Sequence, residues 1–119
     1  MTPKTPRPTI FLRSTRDIQT VKDHGRRLST NLFNLLACAM GDKPTRVGII
    51  VGKRFGNAVR RNRAKRVFRD MVRQLHPDMV AGRGVLVFPK RDALLQSRED
   101  LTRLWKSSLE RMRLLRQGT

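Results

Sequence analysis

Between Lys53 and Arg73 the chain carries nine basic residues and a single acid, Asp70. The dense part reads Lys53-Arg54-Phe55-Gly56-Asn57-Ala58-Val59-Arg60-Arg61-Asn62-Arg63-Ala64-Lys65-Arg66-Val67-Phe68-Arg69. One carboxylate cannot absorb that charge through ion pairs within a helix, so a polyanion is the expected partner. Guanidinium groups fork onto phosphate oxygens in two-point fashion, and Asn62 can donate and accept toward a base edge, a ribose or a hydrated metal ion. A merely solvated helix face is the bland alternative; the one-sided sign of the charge argues against it.

Hydrolysis of a phosphodiester by protein side chains needs carboxylates converging on a metal, or a histidine pair for acid and base work. The seven aspartates and two glutamates are scattered, and their only adjacent pair, Glu99-Asp100, opens a helix, where the dipole explains it. His24 precedes a glycine and His76 precedes Pro77, positions that suit capping or surface roles. Gly48-x-x-x-Gly52-Lys53 is too short for a phosphate-cradling loop and continues into Arg54 rather than Ser or Thr. No catalytic residue is assigned.

The elements that must hold the basic run can be read from periodicity. Asn57 is the expected N-cap of a long helix that ends before Pro77. On a helical wheel Ala64, Val67, Phe68, Met71, Val72 and Leu75 fall within an arc of about 140°, the expected core face. Arg63, Lys65, Arg66, Arg69 and Arg73 lie opposite, with Arg60 and Arg61 in the first turn. Ser14-Thr15-Arg16-Asp17 predicts a short first helix over 15–24, stopped at Gly25. Leu32 to Met40 and Arg46 to Val51, separated by Gly41-Asp42-Lys43-Pro44, read as the two strands of an antiparallel hairpin. Val85-Leu86-Val87-Phe88 is a third core strand, which makes a β-α-β crossover possible. Ser97-Arg98-Glu99-Asp100 starts a terminal helix bearing Leu101, Leu104, Trp105, Leu109, Met112 and Leu115, with Trp105 in the core.

Composition agrees with a nucleic-acid partner. The 119 residues include 27 Lys and Arg against 9 Asp and Glu, a net charge of +18, and 38% are hydrophobic, which supports one folded core. Residues 1–9, with Lys4 and Arg7 among three prolines, read as a disordered basic arm, and 10–116 as a single RNA-binding domain. The longest apolar run, Leu35 to Met40, is far short of the roughly 20 residues that span a bilayer. The basic residues are spread along the chain rather than gathered on one amphipathic segment, so no membrane partner is expected. Lone Cys38 suits a reducing cytosol, and a cytoplasmic location is expected.

The pattern Gly56-Asn57-Ala58-Val59-x-Arg61-Asn62-Arg63-x-Lys65-Arg66-x-x-Arg69 closely resembles the signature of the bacterial ribonuclease P protein component. Leu12-Arg13, Asp17, Gly25, Phe33, Arg46-Val47-Gly48 and Lys53 agree in order, so the resemblance spans roughly residues 10 to 115. It implies an α+β fold, a two-layer α/β arrangement of order α-β-β-α-β-α, ribosomal-protein-like, with an uncommon left-handed β-α-β crossover. It also implies the accessory subunit of a ribozyme. The partner RNA, with magnesium bound mainly by that RNA, would remove the 5′ leader of precursor tRNA. Ribonuclease P RNA and the leader would be the partners, with no small-molecule substrate.

By the same resemblance Lys53, Arg54, Asn57, Arg60, Arg61, Asn62, Arg63, Lys65, Arg66 and Arg69 would face the RNA subunit, with Asn62 near an RNA-bound magnesium. Arg13, Ile18, Lys22, Phe33 and Leu36 would meet the leader in a cleft between the first helix and the sheet. Here the sequence departs from the family: Ile18 and Lys22 stand where aromatics are common on the first helix, and Leu36 replaces a strand tyrosine. Base stacking, worth about 1–3 kcal/mol per base, should therefore be weaker. The rival reading is a ribosomal or general structured-RNA-binding protein without a catalytic partner. A nuclease working alone is a third, disfavoured by the scattered carboxylates.

Overall fold

The structure is a computed structural model, and residues 10–41 and 43–116 are described. The proposed basic arm, 1–9, lies outside the described residues. In chain order the elements are α1 (Thr15–His24), β1 (Arg26–Ser29), β2 (Phe33–Ala39), β3 (Arg46–Ile49), α2 (Ala58–Leu75), β4 (Arg83–Pro89) and α3 (Arg98–Arg111). Short 3-10 turns at Lys53–Phe55, His76–Asp78 and Arg91–Leu95 link them.

The caps form where the sequence places them. Ser14 Oγ accepts from the Asp17 N–H at 3.3 Å, Asn57 Oδ1 from the Arg60 N–H at 3.0 Å, and Ser97 Oγ from the Asp100 N–H at 3.1 Å. Each satisfies one of the donors a helix start leaves unpaired. Gly56 has φ +152°, a backbone conformation open to glycine and strained for other residues, and it turns the chain from the Lys53–Phe55 turn into α2.

The sheet order is β1-β2-β4-β3, and this corrects two expectations: the β2–β3 hairpin, and the order α-β-β-α-β-α, which the additional strand β1 makes α-β-β-β-α-β-α. β2 and β3 do not form a hairpin, because β4 lies between them, antiparallel to β2 and parallel to β3. The turn after β2 is held to the start of β4 instead: the Met40 N–H donates to the Gly82 carbonyl at 2.8 Å. A Cβ on Gly82 would stand 2.6 Å from the Gly41 carbonyl oxygen, so the two segments cross there at backbone contact. The hairpin partner of β2 is β1, an exposed edge strand whose Arg26-Arg27-Leu28-Ser29 carries no apolar alternation to announce it. The other edge, β3, is covered by the segment before α1, where Leu12 N–H donates to Val47 O and Val47 N–H to Ile10 O, both at 2.9 Å.

The sheet is buried on both faces, though unequally. On one face α2 and α3 cover Phe33, Leu35, Ala37, Val47, Val85 and Val87. Phe33 is the hub, edge-on to Phe68 at 6.0 Å and to Trp105 at 5.8 Å between ring centroids. Of the expected α2 core face, Ala64, Phe68, Met71 and Val72 are buried and Val67 and Leu75 partly so. On the other face α1 covers only part of the sheet, with Val21, Leu12 and Leu86 buried beneath it and Ile18, Leu36, Ile50 and Phe88 half-buried at its margin. α3 ends at Arg111 rather than running to Leu115: Arg113 takes φ +57° and the Leu114 N–H returns to Leu109 O at 2.8 Å. Leu115 then bridges to Met79.

Candidate nucleic-acid interface

Burying Ala64, Phe68, Met71 and Val72 forces the opposite side of α2 outward. Arg60, Asn62, Arg63, Arg66 and Arg69 are exposed, while Arg61 and Lys65 are half-buried. At 1.5 Å rise per residue, Arg60 and Arg69 stand about 13 Å apart along the axis. Among the described residues none of these cations has an ion-pair partner; the one acid of the helix, Asp70, is taken by Arg73 at 3.4 Å and Arg98 at 3.5 Å. The first turn of α2 holds no acidic residue, so the positive end of the helix dipole adds to the arginine field instead of being quenched. Arg61 Nε is buried with no acceptor among the described residues.

The ridge continues past the helix start. Lys53 and Arg54 are exposed on their turn, above buried Phe55. Arg91, from the turn after β4, donates to the Arg54 carbonyl from Nε at 3.2 Å and Nη2 at 2.7 Å. Asn57 is differently placed from its neighbours: its side-chain oxygen is committed to the helix cap.

The five leader residues do not come together. Arg13 and Lys22 are exposed, and Ile18 and Leu36 are half-buried at the open margin between α1 and the sheet. Phe33 is on the wrong face. It lies three residues before Leu36 on β2, an odd separation in an element whose side chains alternate, and it is fully buried under α2 and α3. It is therefore withdrawn from the leader set.

The residue that reasoning from sequence missed is Phe88. The β2–β4 register sets Asn34 opposite Phe88 and Leu36 opposite Leu86, all on the α1 face. Arg27, Asn34, Leu36 and Phe88 line a cavity of about 290 Å³. Asn34 Oδ1 is buried there without a donor. Phe88 also borders a second cavity, of about 370 Å³, with Ile50, Arg54, Lys90 and Arg91 among its walls. A track of apolar floor and cationic rim thus runs from β1 to the start of α2. The one signal for it in the sequence is the alternation of Leu86 and Phe88 against Val85 and Val87, which an unbroken apolar run conceals.

Among the described residues no group of three or more His, Cys, Asp or Glu converges. The arrangement can bind an extended polyanion, and it can hold a base against Leu36 and Phe88.

Comparison with known proteins gives one consistent answer. A family model described as Ribonuclease P matches residues 7–113. The ribonuclease P protein component of Latilactobacillus sakei subsp. sakei is 31% identical over 105 residues, covering 84% of this chain and 88% of that protein. That of Finegoldia magna is 34% identical over 93 residues, covering 78% and 77%. Among solved structures, the RNase P protein from Thermotoga maritima superposes with a TM-score of 0.75 at 26% identity, over 91% of this chain and 98% of that one. The Staphylococcus aureus RNase P protein superposes at 0.77 and 21% identity, over 91% and 99%, a likeness of fold.

Proposed function

Because the chain belongs to the ribonuclease P protein family, we propose that its two surfaces divide one task between two RNA molecules. The chain serves as the protein component of a bacterial ribonuclease P, a ribonucleoprotein endonuclease, and acts with an RNA subunit in processing the 5′ leader of tRNA. In our reading Lys53, Arg54, Arg60, Arg61, Asn62, Arg63, Lys65, Arg66 and Arg69 dock on the RNA subunit, with Asn57 capping the helix that presents them. Arg13, Ile18, Lys22 and Leu36, joined by Arg27, Asn34 and Phe88, receive the leader. The observation that carries this division is Phe88, which walls both the cleft beside Leu36 and the cavity beside Arg54 and Arg91, so the two surfaces meet.

The work is electrostatic. Catalytic RNA and precursor tRNA repel each other, and a protein with a net charge of +18 that touches both reduces the salt needed to hold them together. Catalysis in the family is magnesium-dependent and carried by the RNA. Among the described residues the carboxylates do not converge, so they do not fit a resident magnesium site. The ion belongs with the RNA in this reading, and the exposed amide of Asn62 is the protein group suited to meet its hydration shell.

We further propose that residues 10–116 act as one RNA-binding domain, that the protein works in the cytoplasm, and that the β3–α2–β4 crossover is left-handed.

Reconstitution tests the function. Mixed with a bacterial ribonuclease P RNA at low magnesium, the protein should raise the rate of 5′ maturation of precursor tRNA. Contact with about four single-stranded leader phosphates gives log K against log salt a slope near −3. A general RNA binder would give no stimulation beyond non-specific annealing, and cleavage by the protein without RNA would refute the assignment.

A further inference from the structure

Beside the start of α2 lies a cavity of about 420 Å³ that the two surfaces above do not use as a pocket. Phe55, Leu94 and Leu95 supply its apolar wall, Arg60, Arg63 and Arg91 its cations, and Asp92 a carboxylate. Leu95 is 80% exposed, one of only two large hydrophobic side chains so open among the described residues, and the other, Val59, lies one turn before Arg63 on α2. Such side chains on a highly cationic surface call for an occupant that is flat and apolar in one part and anionic in another. Asp92 makes no ion pair with the three arginines around it, so its carboxylate oxygens remain available as acceptors. Arg91 is already oriented by its two bonds to the Arg54 carbonyl, which leaves its Nη1 donors free to meet a phosphate at little entropic cost.

We propose that this cavity takes one unstacked guanosine nucleotide of the RNA subunit. The inference rests on the reading of the chain as the partner of a catalytic RNA. The volume is at the lower end of the roughly 300–1,000 Å³ of small-ligand sites, the scale of a single nucleotide rather than a helical segment. Phe55, Leu94 and Leu95 offer the base an apolar bed, and Arg60, Arg63 and Arg91 meet the flanking phosphates. Asp92 selects the base. A carboxylate presents two acceptors side by side, and guanine alone among the four bases presents two adjacent donors, N1–H and N2–H; adenine and cytosine offer one amino group and uracil one ring N–H.

The test titrates the full chain with guanosine, adenosine, cytidine and uridine monophosphates and with inorganic phosphate at fixed ionic strength, following backbone amide resonances. Guanosine monophosphate should shift Phe55, Leu94 and Leu95 and bind at least about fivefold more tightly than the other three. Asp92→Asn should bring it down to their level while phosphate binding does not fall. Equal binding of all four nucleotides, or no shifts at Phe55 and Leu95, overturns the proposal. In the reconstituted complex one guanosine of the RNA subunit should be shielded from modification at its N1 and N2 by the native protein and become reactive with Asp92→Asn; no such guanosine also overturns it. Absence of stimulated tRNA processing would instead strike at the function proposed above, since the titration reads the cavity alone.

Discussion

Arg91 grips the main-chain carbonyl of Arg54 through two nitrogens of one guanidinium, at 3.2 and 2.7 Å, and so clamps the segment after β4 onto the turn that carries Lys53 and Arg54. Lysine cannot reproduce a two-point grip. Arg91→Lys should speed hydrogen exchange at the Phe55 amide, which closes the turn on Gly52 O at 3.0 Å, at a cost of about 1 kcal/mol in stability. RNA affinity should fall further with Arg91→Ala, which also removes the charge. Unchanged exchange in the lysine variant would mean that the clamp positions nothing.

Arg63 and Arg66 are exposed, have no ion-pair partner, and sit about one turn apart on α2. Replacing both with alanine should change the unfolding free energy only by the amount of ordinary surface changes, about 0.5 kcal/mol each. With two fewer phosphates neutralised, the salt slope of RNA-subunit binding should become shallower by about 1.5. Arg73→Ala is the control. Arg73 is already engaged, held by Asp70 at 3.4 Å and lying 5.3 Å over the Phe11 ring, so its slope change should be much smaller. A larger change at Arg73 than at the pair would put the docking face elsewhere.

Phe33 and Phe88 should separate stability from leader binding. Phe33→Ala opens a hole between Phe68 and Trp105 and should cost about 3–5 kcal/mol in unfolding free energy. Phe88 is half-buried beside the cleft, so Phe88→Ala should cost less stability. It should also weaken precursor tRNA binding relative to mature tRNA by about 1 kcal/mol or more if a base lies on the ring. Equal loss for precursor and mature tRNA would remove Phe88 from the leader cleft.

That contrast marks how far the sequence can be read. Local signals suffice for every helix start, because Ser14, Asn57 and Ser97 each act on an N–H three residues away. The wet face of α2 follows from a period that one helix sets for itself. Pairing between strands is not legible, since a turn signal at Gly41 to Pro44 cannot reveal that β4, some 40 residues later, enters between β2 and β3. The proposed leader cleft depends on that pairing. Only the register that sets Phe88 against Asn34 shows which aromatic faces α1, whereas motif order alone points to Phe33. β1 escapes notice because an exposed edge strand needs no apolar residues.

Asn57 combines two roles that substitution can pull apart. Its side-chain oxygen accepts from the Arg60 N–H at 3.0 Å, so Asn57→Ala should destabilise α2 by about 1 kcal/mol. Asn57→Asp keeps an acceptor at the cap and places a negative charge at the unquenched positive end of the helix, so the fold should be at least as stable as the native protein. The same charge faces the phosphates that Arg60, Arg61 and Arg63 are proposed to meet. The aspartate variant should therefore bind the RNA subunit more weakly despite its sounder helix, and the deficit should shrink as salt rises and screens the repulsion. Tighter folding with undiminished RNA affinity at low salt would show that the start of α2 does not approach the RNA, whatever the remaining arginines do.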